Sequence, residues 1–118
     1  MAEGGRERRI AENEAVFRRA NESLRGVFED AEEAPLEGYP FLCECGDRNC
    51  TAVVQLPLEI YEQIRNHPAR FLTRPGHKQL PSETIVDGGD GYDVVEKTGA
   101  AGAIARARWT RFITTSDA

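Results

Sequence analysis

The sequence predicts an α+β fold in which a long N-terminal helix packs on a small, mainly antiparallel sheet. Three observations carry this expectation. Over residues 6–29, Ile10, Phe17 and Leu24 recur every seven positions, and Val16, Ala20, Val27 and Phe28 widen the stripe at helical spacing. After residue 40 the pattern shortens to strand-like runs at 41–45, 51–56, 69–73, 83–86 and 92–96, separated by Gly, Pro, Asp and Asn. A chain of 118 residues is the length of one domain and buries about two-thirds of its unfolded surface. The expected organisation is a single domain, 1–118: helix 6–29, linker 30–40, α+β core 41–97 and a flexible tail 98–118.

The helix carries a second, charged pattern. Glu14, Arg18, Asn21 and Arg25 follow one another at spacings of four, three and four, and Arg8 with Glu12 and Arg18 with Glu22 form i,i+4 pairs. This polar face is expected to be solvated. Arg6, Arg8, Arg9, Arg18 and Arg19 are interleaved with Glu7, Glu12, Glu14 and Glu22, so the face reads as self-paired rather than nucleic-acid-binding. About 24 helical residues span about 36 Å, more than so small a core covers, and the excess suits a protein partner or self-association through the N-terminal helix. Acidic residues Asp30, Glu32, Glu33 and Glu37, broken by Pro35, Gly38 and Pro40, then end the helix.

All three cysteines fall within ten residues, in Phe41-Leu42-Cys43-Glu44-Cys45-Gly46-Asp47-Arg48-Asn49-Cys50. Side chains alternate along a strand, so Cys43 and Cys45 share a face. Gly46 to Asn49 is turn chemistry, and a hairpin closed there returns Cys50 beside Cys45. Three thiols then converge, and a tetrahedral ion needs one more ligand. His77 supplies it, held behind Pro75 and Gly76, which suit the central positions of a type II turn. Cys43, Cys45, Cys50 and His77 thus form a metal-site hairpin for Zn2+. His67 and Asp47 are rival fourth ligands. Reach disfavours a Cys43–Cys45 disulfide, whereas Cys45–Cys50 is open to redox chemistry and simple buried thiols remain the plain alternative.

Thr51 to Leu56 continues the hairpin. Pro57 suits the first position of a short helix with Ile60, Tyr61 and Ile64 on its buried side, ending near Asn66. Residues 87–91 read as a flexible turn; its two aspartates lack a bidentate Glu at calcium-loop spacing. Residues 106–112 interleave Arg with Trp109 and Phe112, a pattern known from single-strand binding, but three arginines in a terminal segment of an acidic chain better suit a frayed or partner-ordered tail.

A net charge of −5 and pI near 5.1 argue against broad attraction to nucleic acid or anionic membrane. No apolar run approaches membrane-spanning length, and no secretory signal follows Met1. A cytoplasmic, reducing setting is therefore expected, which favours metal ligation over disulfides.

The segments Arg9 to Glu14, Phe41 to Cys50, Pro75 to His77 and Val94 to Lys97 resemble a family of short bacterial proteins, mostly of unassigned function. Those proteins combine an Arg-Ile-Ala-x-Asn-Glu helix, a Phe-x-Cys-Glu-Cys-x4-Cys hairpin and a Pro-Gly-His turn. The resemblance implies that the three cysteines and His77 belong to one unit and brings no activity with it. The expected role is a non-catalytic zinc-binding module, regulatory or protein-interacting. A thiol redox or metal-responsive regulator and a nucleic-acid-binding accessory protein are the alternatives. Catalysis would need an open position on the ion with Glu44 or Asp47 as base, and no HExxH, phosphate loop or Ser-His-Asp set is present.

Overall fold

The structure, a computed structural model, describes residues 2–33, 35–77, 83–99, 102–103 and 105–107. Helix α1 (Ala2–Glu29) is followed by β1 (Tyr39–Leu42), β2 (Val53–Leu56), α2 (Leu58–Arg65), β3 (Arg70–Thr73), β4 (Glu83–Gly89) and β5 (Tyr92–Lys97). The α+β arrangement is the expected one. The strands divide into two antiparallel sheets, β1–β2 and β3–β5–β4, with β5 central in the second. The N–H of Glu44 donates to the Leu72 carbonyl at 2.7 Å and ties the hairpin to β3. Among the described residues no helix is long and apolar enough to cross a membrane.

Alternation along β1 and β2 sorts their side chains. Tyr39, Phe41, Val54 and Leu56 point inward and Pro40, Val53 and Gln55 outward, in the register Tyr39↔Leu56 to Leu42↔Val53. The inner set packs with Tyr61 and Ile64 of α2, Leu72 of β3 and Val94 of β5. Phe41 stacks on Tyr61 with ring centroids 4.3 Å apart, and Phe28 stacks on Tyr39 at 4.5 Å. Each aromatic pair contributes about 0.5–1.5 kcal/mol beyond its buried area.

Helix α1 departs from expectation in which face it buries. Glu14 and Asn21 are 1% and 0% exposed, whereas Val16 and Val27 are 63% and 66% exposed. Residues expected to be solvated dock together with Ile10 and Phe28 of the apolar stripe, whose other edge is left exposed. Their partners come from distant sequence. Asn21 donates to the Leu42 carbonyl (2.8 Å) and accepts from the Leu42 N–H (2.7 Å). Arg18 pairs with no neighbouring glutamate through a salt bridge; its guanidinium donates to the carbonyls of Arg65, His67 and Pro68 at 2.7–2.9 Å. It thereby satisfies carbonyls at and beyond the end of α2, groups that a helix leaves without internal partners. Glu22 bonds Arg25 at 2.6 Å and also Arg65.

Pro57 sits before α2 as its N-cap, with φ −60° and ψ 144°, not in the first turn; its carbonyl accepts from Ile60 and Tyr61. The β4–β5 connection is tighter than a flexible loop over 87–91. Asp87, Gly88 and Gly89 belong to β4, and Asp90-Gly91 alone turns, with Gly91 at φ +84°. In the tail, Gly99, 102–103 and 105–107 are helical and Ala105 is buried. Residues 108–112 of the basic and aromatic segment lie outside the described residues.

Candidate metal centre

Beyond Leu42 the hairpin keeps its register for at least one more rung, the Cys43 N–H donating to the Ala52 carbonyl at 3.1 Å. Beyond that rung the turn brings the Cys45 and Cys50 thiols into one cluster. Gly46 enters the turn at φ +86°, a conformation that glycine adopts without strain. The Cys50 N–H then closes on the Asp47 carbonyl at 2.9 Å, while Asp47 Oδ1 accepts the Asn49 N–H at 2.9 Å. Asp and Asn chemistry fixes this turn as expected. It is pressed against α1: Asn13 donates to the Gly46 carbonyl at 2.9 Å, and a Cβ on Gly46 would meet Ile10 Cγ2 at 2.6 Å.

The second loop leaves β3. The His77 N–H donates to the Arg74 carbonyl at 3.1 Å across Pro75 and Gly76, with Gly76 at φ +81° as a type II turn requires. The imidazole is thereby aimed at the thiols. Cys43, Cys45, Cys50 and His77 offer one ligand atom each, and all four atoms lie within 4.8 Å of one another. Cys43 Sγ and Cys50 Sγ are both 3.5 Å from His77 Nδ1. For tetrahedral zinc with Zn–S near 2.3 Å and Zn–N near 2.05 Å, an S···N edge of about 3.6 Å is required. The two observed edges fit.

Without an ion, the electrostatics divide the three thiols. Cys43 accepts a hydrogen bond from the Cys45 thiol and from the Arg74 N–H (3.2 Å), which hold its thiol below the usual range against the effect of burial. Donation to Cys43, then burial, pushes Cys45 up, and burial pushes Cys50 up. A divalent ion reverses both preferences by displacing protons. With three thiolates the complex carries one net negative charge, and Arg48 and Arg74 lie exposed on the two loops that form it. Lys78, a third candidate for balancing it, is outside the described residues.

The rival ligands fall elsewhere. His67 pairs with Glu96 at 3.3 Å, and its imidazole is shifted down by burial and by Arg70. Asp47 is spent on its own turn.

Glu44 is the residue whose role the sequence hid. It lies between two ligands, so alternation turns its carboxylate the opposite way, into the space between α1, α2 and β3. Oε2 accepts from Asn21 Nδ2 (2.8 Å) and the Tyr61 hydroxyl (2.7 Å), and Oε1 from the Leu72 N–H (2.9 Å). Glu44, one of the two bases a catalytic alternative would need beside the ion, instead has both oxygens engaged by α1, α2 and β3. Burial raises its pKa, opposed by Arg18 and these donors. One signal was available, since Cys-Glu-Cys in a strand cannot aim all three side chains at one ion.

No protein-family model, curated protein or solved structure matches the chain. The centre stands on its geometry.

Proposed function

We propose that this protein is a small non-catalytic zinc-binding module that acts through protein contact at α1. The observation that carries the metal reading is the pair of 3.5 Å sulfur–nitrogen edges inside a four-donor cluster. Three thiolates and one imidazole suit zinc by softness and number, and four protein ligands leave no position for a reacting water. Such an ion is structural. It joins the loop after β1 to the loop after β3, and α1 grips the first of these through Asn13 at Gly46 and Asn21 at Glu44. The metal therefore holds the surface on which the helix rests. A reducing, cytoplasmic setting belongs to this reading, because oxidised cysteines do not ligate.

Elemental analysis of the purified chain, followed by circular dichroism during chelator titration, tests it. One zinc per chain and loss of structure as zinc is withdrawn are expected. A folded chain purified without metal, unchanged by chelator, would contradict it.

A further inference from the structure

We propose that α1 is a homodimer interface, in which the helix of one copy packs antiparallel on the helix of a second. The proposal rests on α1 as the interaction surface and names its partner. At 100° per residue, Phe17, Leu24, Ala20, Val27 and Val16 occupy one arc of about 100° beside the docked face. The first three are half-buried, and Val16 and Val27 are 63% and 66% exposed. The fold leaves an apolar shoulder running along the middle and C-terminal half of α1.

Charge selects what covers that shoulder. Near its N-terminus the helix exposes Arg8 and Arg9, and at its C-terminus Glu29 leads into Asp30, Glu32 and Glu33, with no basic residue in the last turn. The exposed charge is thus basic towards one end of the helix and acidic at and beyond the other. An antiparallel copy brings the basic stretch of each chain to the acidic stretch of its partner. A two-fold axis near Ala20 sets Val16 of one chain beside Val27 or Leu24 of the other, and brings Arg8 and Arg9 to the acidic segment after the partner helix. Ala20, small and central, lets the two helices approach where they cross. A parallel pair would instead stack like charges at both ends.

Sedimentation equilibrium on the full, zinc-loaded chain tests this, with metal content measured on the same samples. A concentration-dependent dimer that weakens with salt is expected. Val16→Asp with Val27→Asp, at exposed positions, should give a monomer with unchanged circular dichroism and zinc. Arg8→Glu with Arg9→Glu, and separately Asp30→Lys with Glu32→Lys and Glu33→Lys, should each raise the dissociation constant by roughly tenfold or more, about 1.4 kcal/mol. An equimolar mixture of these two charge variants should recover the dimer. A zinc-loaded chain that stays monomeric at every concentration overturns the proposal and leaves the metal reading intact. A dimer indifferent to the valine substitutions, or tightened by Arg8→Glu with Arg9→Glu, also overturns it. A dimer free of zinc sinks the metal reading alone.

Discussion

Replacing Lys97 with methionine should be among the most damaging single changes away from the cysteines. Lys97 ends β5 with its ammonium 2.7 Å from Glu14 Oε2 and 2.6 Å from Glu83 Oε1, and all three residues are buried. Burial pushes the Glu14 carboxyl up to about 9, against the pull of Lys97, so at neutral pH it keeps a proton. Its second oxygen, Oε1, has no hydrogen-bond partner among the described residues and is free to carry it. Lys97 thus bridges a protonated acid and the Glu83 carboxylate. Methionine fills a similar volume but removes the buried ammonium from both partners, a loss of about 3–5 kcal/mol. Against a total of about 5–15 kcal/mol, that is a third or more of the stability of many domains. Lys97→Met with Glu83→Gln removes both charges and should return to within about 1–2 kcal/mol of wild type. Urea unfolding of the zinc-loaded protein at one fixed protein concentration measures both variants, with the slope checked for constancy. A single variant within about 0.5 kcal/mol of wild type, or strictly additive losses, would refute the reasoning.

Two further predictions concern the same helix. The folded state holds the Glu14 proton between its ordinary 4.5 and about 9, while the unfolded state releases it. The contribution of this group is therefore fully present below 4.5 and declines as pH rises towards 9, at up to about 1.4 kcal/mol per pH unit. Glu14→Gln mimics the protonated acid, so its stability relative to wild type should improve across pH 5 to 9; parallel curves would contradict this. Gly46→Ala places a Cβ at φ +86°, 2.6 Å from Ile10 Cγ2 and 2.9 Å from the Ile10 carbonyl. It should cost about 1–3 kcal/mol and weaken zinc retention in a chelator competition, whereas full retention would show that the turn has slack.

The parts of this molecule that were legible in the sequence are the ones built from neighbours. Cys43 and Cys45 share a face because strands alternate, Asp47 and Asn49 write their own turn, and Pro75-Gly76 fixes the backbone ahead of His77. The strand runs and the short helix followed from equally local patterns, with edges displaced by at most three residues. What escaped was set by distant partners. Helical spacing reveals two faces on α1 and does not say which is covered. Apolarity favoured the Phe17 and Val16 side, yet Glu14 and Asn21 go inward because Lys97, Leu42 and Glu44 meet them there. Arg18 likewise turns to carbonyls some fifty positions away. Buried polar groups are stable only when paired, and those pairs exist only after the fold brings the segments together.

X-ray absorption at the zinc edge, on the full chain as purified and on His77→Ala, bears most directly on the metal centre. Three sulfur scatterers near 2.3 Å and one nitrogen near 2.0 Å are predicted, with the sulfur shell kept and the nitrogen lost or exchanged in the variant. A shell dominated by oxygen, or one that His77→Ala leaves unchanged, would contradict the account.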